Sequence, residues 1–197
     1  MITEQAKFIY DLEKSGFFVD IGAYDGLTGS NTYFLESMGW NGICVEPNEG
    51  PFNLLNASRK CIKYNMAMSD HDGEVEFITV NGYAEQISCV KNTAPEAHLS
   101  RIENEISAHG GDSIKRIVPC SRFSSLIKEK NITYLSIDAE SHELYILKGI
   151  DFSYHAIKYI SFERNPYDEN DCGKFLTDLG YKHLTTIGVD NFYIKND

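Results

Sequence analysis

Four carboxylates stand at the ends of apolar runs in this chain: Asp20, Glu46, Asp138 and Glu163. In an open α/β sheet the carboxyl ends of the strands border one ligand crevice, so acids placed there face a common ligand. After Phe17-Phe18-Val19-Asp20-Ile21 the chain runs into Gly22-Ala23-Tyr24-Asp25-Gly26 and then Ser30-Asn31-Thr32. That order reads as a buried strand, a tight turn without side-chain bulk, and a helix N-terminus, a junction suited to a nucleotide-like cofactor. Glu46 follows Asp20 by about two dozen residues, the spacing at which a carboxylate grips both hydroxyls of a ribose. The competing reading of Glu46 is a capping or solvent-facing acid before Pro47.

The glycine pattern of a dinucleotide site is missing, and a pyrophosphate needs closely approaching backbone N–H groups. A cofactor without phosphate, such as S-adenosylmethionine, fits better, because acids around the turn attract its ammonium and sulfonium. Beside Asp138 lie Glu140 and His142, two residues apart at a strand-to-helix turn, so at least one can point into the crevice. A histidine with an ordinary pKa near ~6.5 suits removal of a hydroxyl proton. Glu140 could be that base, could orient His142, or could ligate a divalent cation with Asp138 and Glu163. The bland alternatives are a helix-start histidine bonded to a carbonyl and a carboxylate capping the first helical turn. No spacing requires a metal, and His71, His98, His109, His155 and His183 show no ligand pattern. Tyr24, Tyr83 and Tyr167 fall in loops on the crevice side, where a ring could contact adenine, sulfonium or substrate.

Positioning these groups requires alternating strands and helices. A helix is expected over 3–15 with Thr3 as its N-cap, then strands at 17–21, 43–45, 61–67, 74–79, 133–137 and 156–162. Helices are expected over 31–38, 52–58, 121–130, 141–148 and 171–179, and two closing strands at 181–186 and 191–195 around Gly188. Asp70-His71-Asp72-Gly73 is turn chemistry. The segment 82–116 is polar and lacks sustained periodicity, apart from a short helix at 99–106. It reads as a lid or substrate segment.

With 197 residues the chain is read as a single domain, 1–197. The net charge of −11 and the lack of a basic stripe (Lys115, Arg116 and Arg122 form only a short patch) exclude bulk nucleic-acid binding. No apolar run could span a bilayer, and the first residues do not read as a signal peptide. The five cysteines form no C-x-x-C pair, which fits reduced thiols and a cytoplasmic location.

Several of these motifs, taken in order, resemble the FkbM family of S-adenosylmethionine-dependent methyltransferases. They are Phe18 to Gly26, Ser30-Asn31-Thr32, Val45-Glu46-Pro47, Ala67-Met68-Ser69-Asp70, Ile137 to Gly149 with its Asp-x-Glu-x-His-Glu-Leu stretch, and Asp190-Asn191-Phe192-Tyr193. The resemblance spans about residues 17–195 except 82–116. It implies a class I methyltransferase (Rossmann-like) α/β fold: a seven-stranded, mostly parallel sheet of order 3-2-1-4-5-7-6 with helices on both faces. It also implies that Asp20, Gly22, Ala23 and Asn31 surround the methionine part of the cofactor, with Tyr24 among the cofactor-binding residues. Glu46 with Pro47 would take the ribose, and Ala67, Met68 and Ser69 would border adenine. Asp138 would face the cofactor's amino group or the reacting centre. Two departures stand out: Ser141 where the family usually has Gly, and Ala139 for a usual β-branched residue.

The function expected is methylation of a hydroxyl on a small molecule or glycan, with Glu140, His142 and Asp138 as catalytic candidates. The alternatives are a methyltransferase-fold binding protein without turnover and, less favoured, an NAD-dependent sugar-modifying enzyme. The acceptor and the oligomeric state are not encoded in any pattern found here.

Overall fold

The computed structural model describes residues 2–164 and 171–195. In chain order the elements are α1 (Glu4–Leu12), β1 (Phe17–Ile21), α2 (Tyr33–Ser37), β2 (Asn41–Val45), α3 (Glu49–Ser58), β3 (Ile62–Tyr64) and β4 (Ala67–Ser69). They continue as β5 (Gly73–Asn81), a 3-10 turn (Glu85–Ile87), β6 (Cys89–Val90), α4 (Glu96–His109), β7 (Asp112–Arg122) and α5 (Phe123–Leu126). The chain closes with β8 (Asn131–Ile137), α6 (Glu143–Lys148), β9 (Ala156–Glu163), α7 (Cys172–Asp178), β10 (Tyr181–Ile187) and β11 (Asp190–Lys195).

The main sheet has seven strands in the order β3-β2-β1-β8-β9-β11-β10. It is mixed: β3, β2, β1, β8 and β9 run parallel, and β11 is antiparallel to both β9 and β10. Along the whole chain this is not a plain 3-2-1-4-5-7-6, because the four strands β4 to β7 intervene and build a second sheet, β4-β7-β5-β6. With those four left out of the count, the seven stand in that arrangement. The sequence reading assumed one sheet; the second sheet is the correction.

Burial on both faces explains the apolar strands. Val19 and Ile21 of β1 enter one core with Val45, Leu135, Ile137 and Leu147, while Phe18 enters the other with Leu35, Leu55, Tyr134 and Phe192. Alternation then puts Asp20 on the Phe18 face of the sheet, immediately before the turn.

Three element assignments change. The run 61–67 is two strands, because Asn65 breaks it: its Nδ2 donates to the carbonyls of Glu46 and Pro47, and the chain crosses from one sheet to the other. The helix expected over 121–130 is the single turn α5, with Ile127 leaving in an extended conformation and Lys130 accepting from Ala156 N at the head of β9. Within 82–116, α4 is longer than expected, and residues from Asp112 onward belong to the long strand β7 paired with β5. No helix among the described residues is long and apolar enough to cross a membrane.

Candidate active site

The ends of β1, β2 and β8 are laced together by backbone. Gly22 N and Ala23 N donate to Val45 O at 2.9 and 3.1 Å, and Asp138 N donates to Ile21 O at 2.9 Å. Gly22 has φ +79°, and a Cβ there would lie 1.7 Å from Asp138 O. Only glycine permits this approach, so the turn after β1 lies with its backbone directly against the end of β8.

The next residue pair forms a cradle. Tyr24, at φ +49°, donates its N–H to Glu46 Oε2 at 2.9 Å, and Asn48 N donates to Glu46 Oε1 at 2.7 Å. Each carboxylate oxygen keeps further lone-pair capacity for a ligand hydroxyl. Burial pushes the Glu46 carboxyl up to about 7, Glu85 and Asp20 add to this, and the two N–H donors oppose it. Tyr24 Oη donates to Glu85 Oε2 at 3.0 Å, so the 3-10 turn closes over the β1 turn.

Beneath the cradle lies a buried network that includes a residue the sequence reading overlooked. Thr32 Oγ1 donates to Asp20 Oδ2 at 2.5 Å and accepts from Arg59 Nη2 at 3.0 Å. Arg59, 3% exposed, also donates to Glu36 Oε2 at 2.6 Å and to Gly26 O at 3.0 Å. Burial raises the Asp20 carboxyl, opposed by the Arg59 charge and the Thr32 hydroxyl. Asn31 Nδ2 donates to Ser136 Oγ at 3.3 Å, tying the helix start to β8. A charged residue in a short linker between a helix and a strand carries no local signal of burial, which is why Arg59 escaped notice.

At the other end of the crevice Asp138, Glu140 and Glu163 bring one oxygen each within 4.8 Å of one another. Such a set could hold a cation, and the Arg101 guanidinium already stands 3.6 Å from Glu140 Oε2. Asp138 opens into the crevice but is walled in by protein. Poor hydration and the charges of Glu163, Glu140 and Glu143 hold its carboxyl well above the ordinary range. Burial, with Glu163 next, pushes Glu140 up to about 8, and burial with Asp190 raises Glu163. Glu143 is occupied in the turn, accepting from Ala139 N at 2.9 Å. Glu140 and Ser141 both adopt positive φ, +49° and +78°, so Ser141 holds the left-handed conformation that favours glycine.

His142 is 2% exposed. Its Nδ1 pairs with Thr93 Oγ1 at 2.8 Å, its Nε2 with Ser69 Oγ at 3.1 Å, and its ring stacks on Tyr145. Burial lowers it to about 4, so the imidazole is neutral at physiological pH with both nitrogens engaged.

These groups border one crevice of about 350 Å³, within the range of small-molecule sites, roughly 300–1,000 Å³. Asp20, Gly22, Ala23, Tyr24, Asn31, Glu46, Pro47, Ala67, Met68, Asp138, Glu140 and His142 all line it. Ser69 does not; it is fully buried behind His142. Tyr83 lies apart, 76% exposed and packed on His109, and Tyr167 falls outside the described residues. Glu85, Gln86, Ile87, Ser88 and Arg101, from the stretch without periodicity, supply part of the wall. The signal that could have found them is the gap in the family resemblance over 82–116, the stretch from which these residues come.

Among solved structures, the chain is similar to an FkbM methyltransferase from Methylobacillus flagellatus (14% identity, TM-score 0.54, 92% of this chain covered). It spans less than half of that protein, 44% of its length. It is also similar to TrmK from M. capricolum, solved in complex with S-adenosyl-homocysteine (12% identity, TM-score 0.50, 98% of this chain and 67% of that one). At these identities the likeness concerns the fold. No curated protein matches the chain in sequence. The family model described as the methyltransferase FkbM domain matches residues 20–183. That match runs from the first strand-end aspartate through β1, β8 and β9 into β10, and so takes in every carboxylate of the crevice: the chain belongs to the FkbM methyltransferase domain family.

Proposed function

We propose that this protein is an S-adenosylmethionine-dependent methyltransferase acting on a hydroxyl of a small molecule or glycan. The observation that carries the reading is the pairing of Glu46, held by two backbone N–H groups, with a Gly22 turn that abuts Asp138. Bound S-adenosylmethionine would supply a methyl group made electrophilic by its positive sulfur. Glu46 would accept from the two ribose hydroxyls. Ala67 and Met68 would border the adenine, while Asp20, Gly22 and Asn31 would frame the methionine part. An acidic wall with a single guanidinium at its edge suits a ligand carrying an ammonium and a sulfonium.

Asp138 and Glu140 stand where a proton leaves the acceptor. Glu140, with its raised affinity for a proton, is the better matched base for a neutral hydroxyl. His142 is a positioning residue in this scheme, fixing α6 against Ser69 of β4 and Thr93 ahead of α4. The segment 82–116 would choose the acceptor, since its 3-10 turn and Arg101 wall the crevice. Five free cysteines fit a reducing compartment and thus a cytoplasmic site of action. Isothermal titration with S-adenosylhomocysteine tests the reading: saturable one-to-one binding is expected, and its absence with folded protein would refute it.

A further inference from the structure

His98 sits on α4, with no solvent exposure, and its Nε2 lies 3.1 Å from the carbonyl oxygen of Ile87. A carbonyl only accepts, so Nε2 carries the ring proton and the neutral ring presents a lone pair at Nδ1. That lone pair faces Glu140 Oε2 at 3.5 Å. Both atoms are shut off from solvent, and neither has a hydrogen-bond partner among the described residues. The Arg101 guanidinium, 3.6 Å from Oε2, offers Glu140 a charge but no hydrogen bond, so the two buried acceptors stand face to face unsatisfied and each carries a desolvation cost. One proton between them satisfies both at once.

We infer that Glu140 and His98 form a single proton-holding pair, in which Glu140 receives the proton released by the acceptor hydroxyl and His98 Nδ1 shares it. This rests on the methyl-transfer reading above and adds to it where the proton goes. As the acceptor oxygen takes the methyl from the sulfonium, which leaves as an uncharged thioether, the O–H bond breaks and its proton moves to the Glu140 carboxylate. No oxidant or further reactant is needed. The empty pair is the base and the filled pair is its product; the proton returns to solvent through the crevice once product has left. His98 touches neither substrate nor cofactor in this scheme and acts as a positioning residue through Glu140.

The surroundings bias the pair towards holding a proton. Glu140 faces Asp138 at the end of β8, Glu143 on α6, Glu163 at the end of β9 and the Cys89 thiol on β6, with Arg101 of α4 as the opposing cation. The carboxylates favour the protonated form and Arg101 the ionised one. Burial keeps His98 below its ordinary pKa, so it offers an uncharged lone pair to the proton.

The test is an NMR titration of the full chain, labelled in histidine ring nitrogens and glutamate carboxyls, with and without S-adenosylhomocysteine. Expected are an Nε2–H tautomer at His98 and one common titration of His98 Nδ1 and the Glu140 carboxyl. In Glu140→Gln the amide donates to Nδ1 permanently, so that titration vanishes. The variant should also melt no lower than the parent, with a gap that widens as pH rises. In His98→Gln, where an amide can still donate to Ile87 O but Nδ1 is gone, the Glu140 carboxyl should titrate about one unit lower. Separate titrations, an Nδ1 titration that survives in Glu140→Gln, or a Glu140 carboxyl indifferent to His98→Gln would overturn the pair. Glu140→Gln keeps the question decidable if His98→Gln does not fold. Failure of S-adenosylhomocysteine to bind would count against the methyltransferase reading alone, since the titration needs no ligand.

Discussion

Glu46 should make cofactor affinity depend on pH, and the size of the effect follows from its surroundings. Its carboxyl is buried and pushed up to about 7 from an ordinary 4.5, while both oxygens already accept a backbone N–H. Ribose hydroxyls can donate only to an ionised or at least unencumbered carboxylate, so binding favours loss of the Glu46 proton. If only the ionised form binds, the observed Kd scales as one plus the ratio of protonated to ionised Glu46. Affinity should then be about tenfold weaker near ~pH 6 than near ~pH 8. The sign for stability without ligand is the opposite. A carboxyl raised in the folded state contributes stability that is complete below its unfolded pKa of about 4.5 and is lost as pH rises through about 7. The shift bounds this loss at about 3 kcal/mol. The assay is isothermal titration with S-adenosylhomocysteine, whose sulfur is uncharged, across that range, paired with thermal melts of the free protein. Glu46→Gln is the control: it should bind more weakly and lose this step of the pH dependence, leaving only what Glu140 and its neighbours contribute. A flat Kd in the parent protein, or the same slope in Glu46→Gln, would refute the ribose assignment.

Gly22→Ala places a Cβ 1.7 Å from Asp138 O at a backbone conformation already unfavourable to alanine, so the β1 and β8 ends must separate. The expected result is a loss of more than ~2 kcal/mol in urea denaturation together with loss of S-adenosylhomocysteine binding; a variant that binds normally would contradict the close approach. Arg59→Met strands Glu36 and removes the donor to Thr32, with Arg59 wholly and Glu36 largely buried. A cost of about 3–5 kcal/mol is expected by the same denaturation, and a loss under ~1 kcal/mol would show that the network is not a structural support.

Much of the site was legible because its signals are local. A buried parallel strand has to be apolar on both faces, and an acid at its end has to face the crevice, so Asp20, Glu46 and Asp138 announce themselves in one dimension. The need for glycine at 22 can be suspected from the turn, but its reason, the carbonyl of Asp138, lies 116 residues away along the chain. The second sheet was invisible for a different cause. The first six residues of β7 are exposed and α4 buries only His98 and Ile102, so neither shows the periodicity that a core face imposes.

Histidine chemistry divides most sharply along this line. Sequence singled out His142 for its place beside Asp138 and passed over His98 for lack of spacing. The fold buries His142 between two hydroxyls and aims His98 at Glu140. By itself the sequence determined the strand-end carboxylates, the glycine turn and the family, because these depend on residue type and order. Tertiary structure alone decided which carboxylates are crowded enough to keep a proton, which cation answers them, and which histidine meets them. Desolvation and charge coupling depend on distance in space, and couplings such as Arg59 with Asp20, through Thr32, or His98 with Glu140 join segments that the chain keeps far apart.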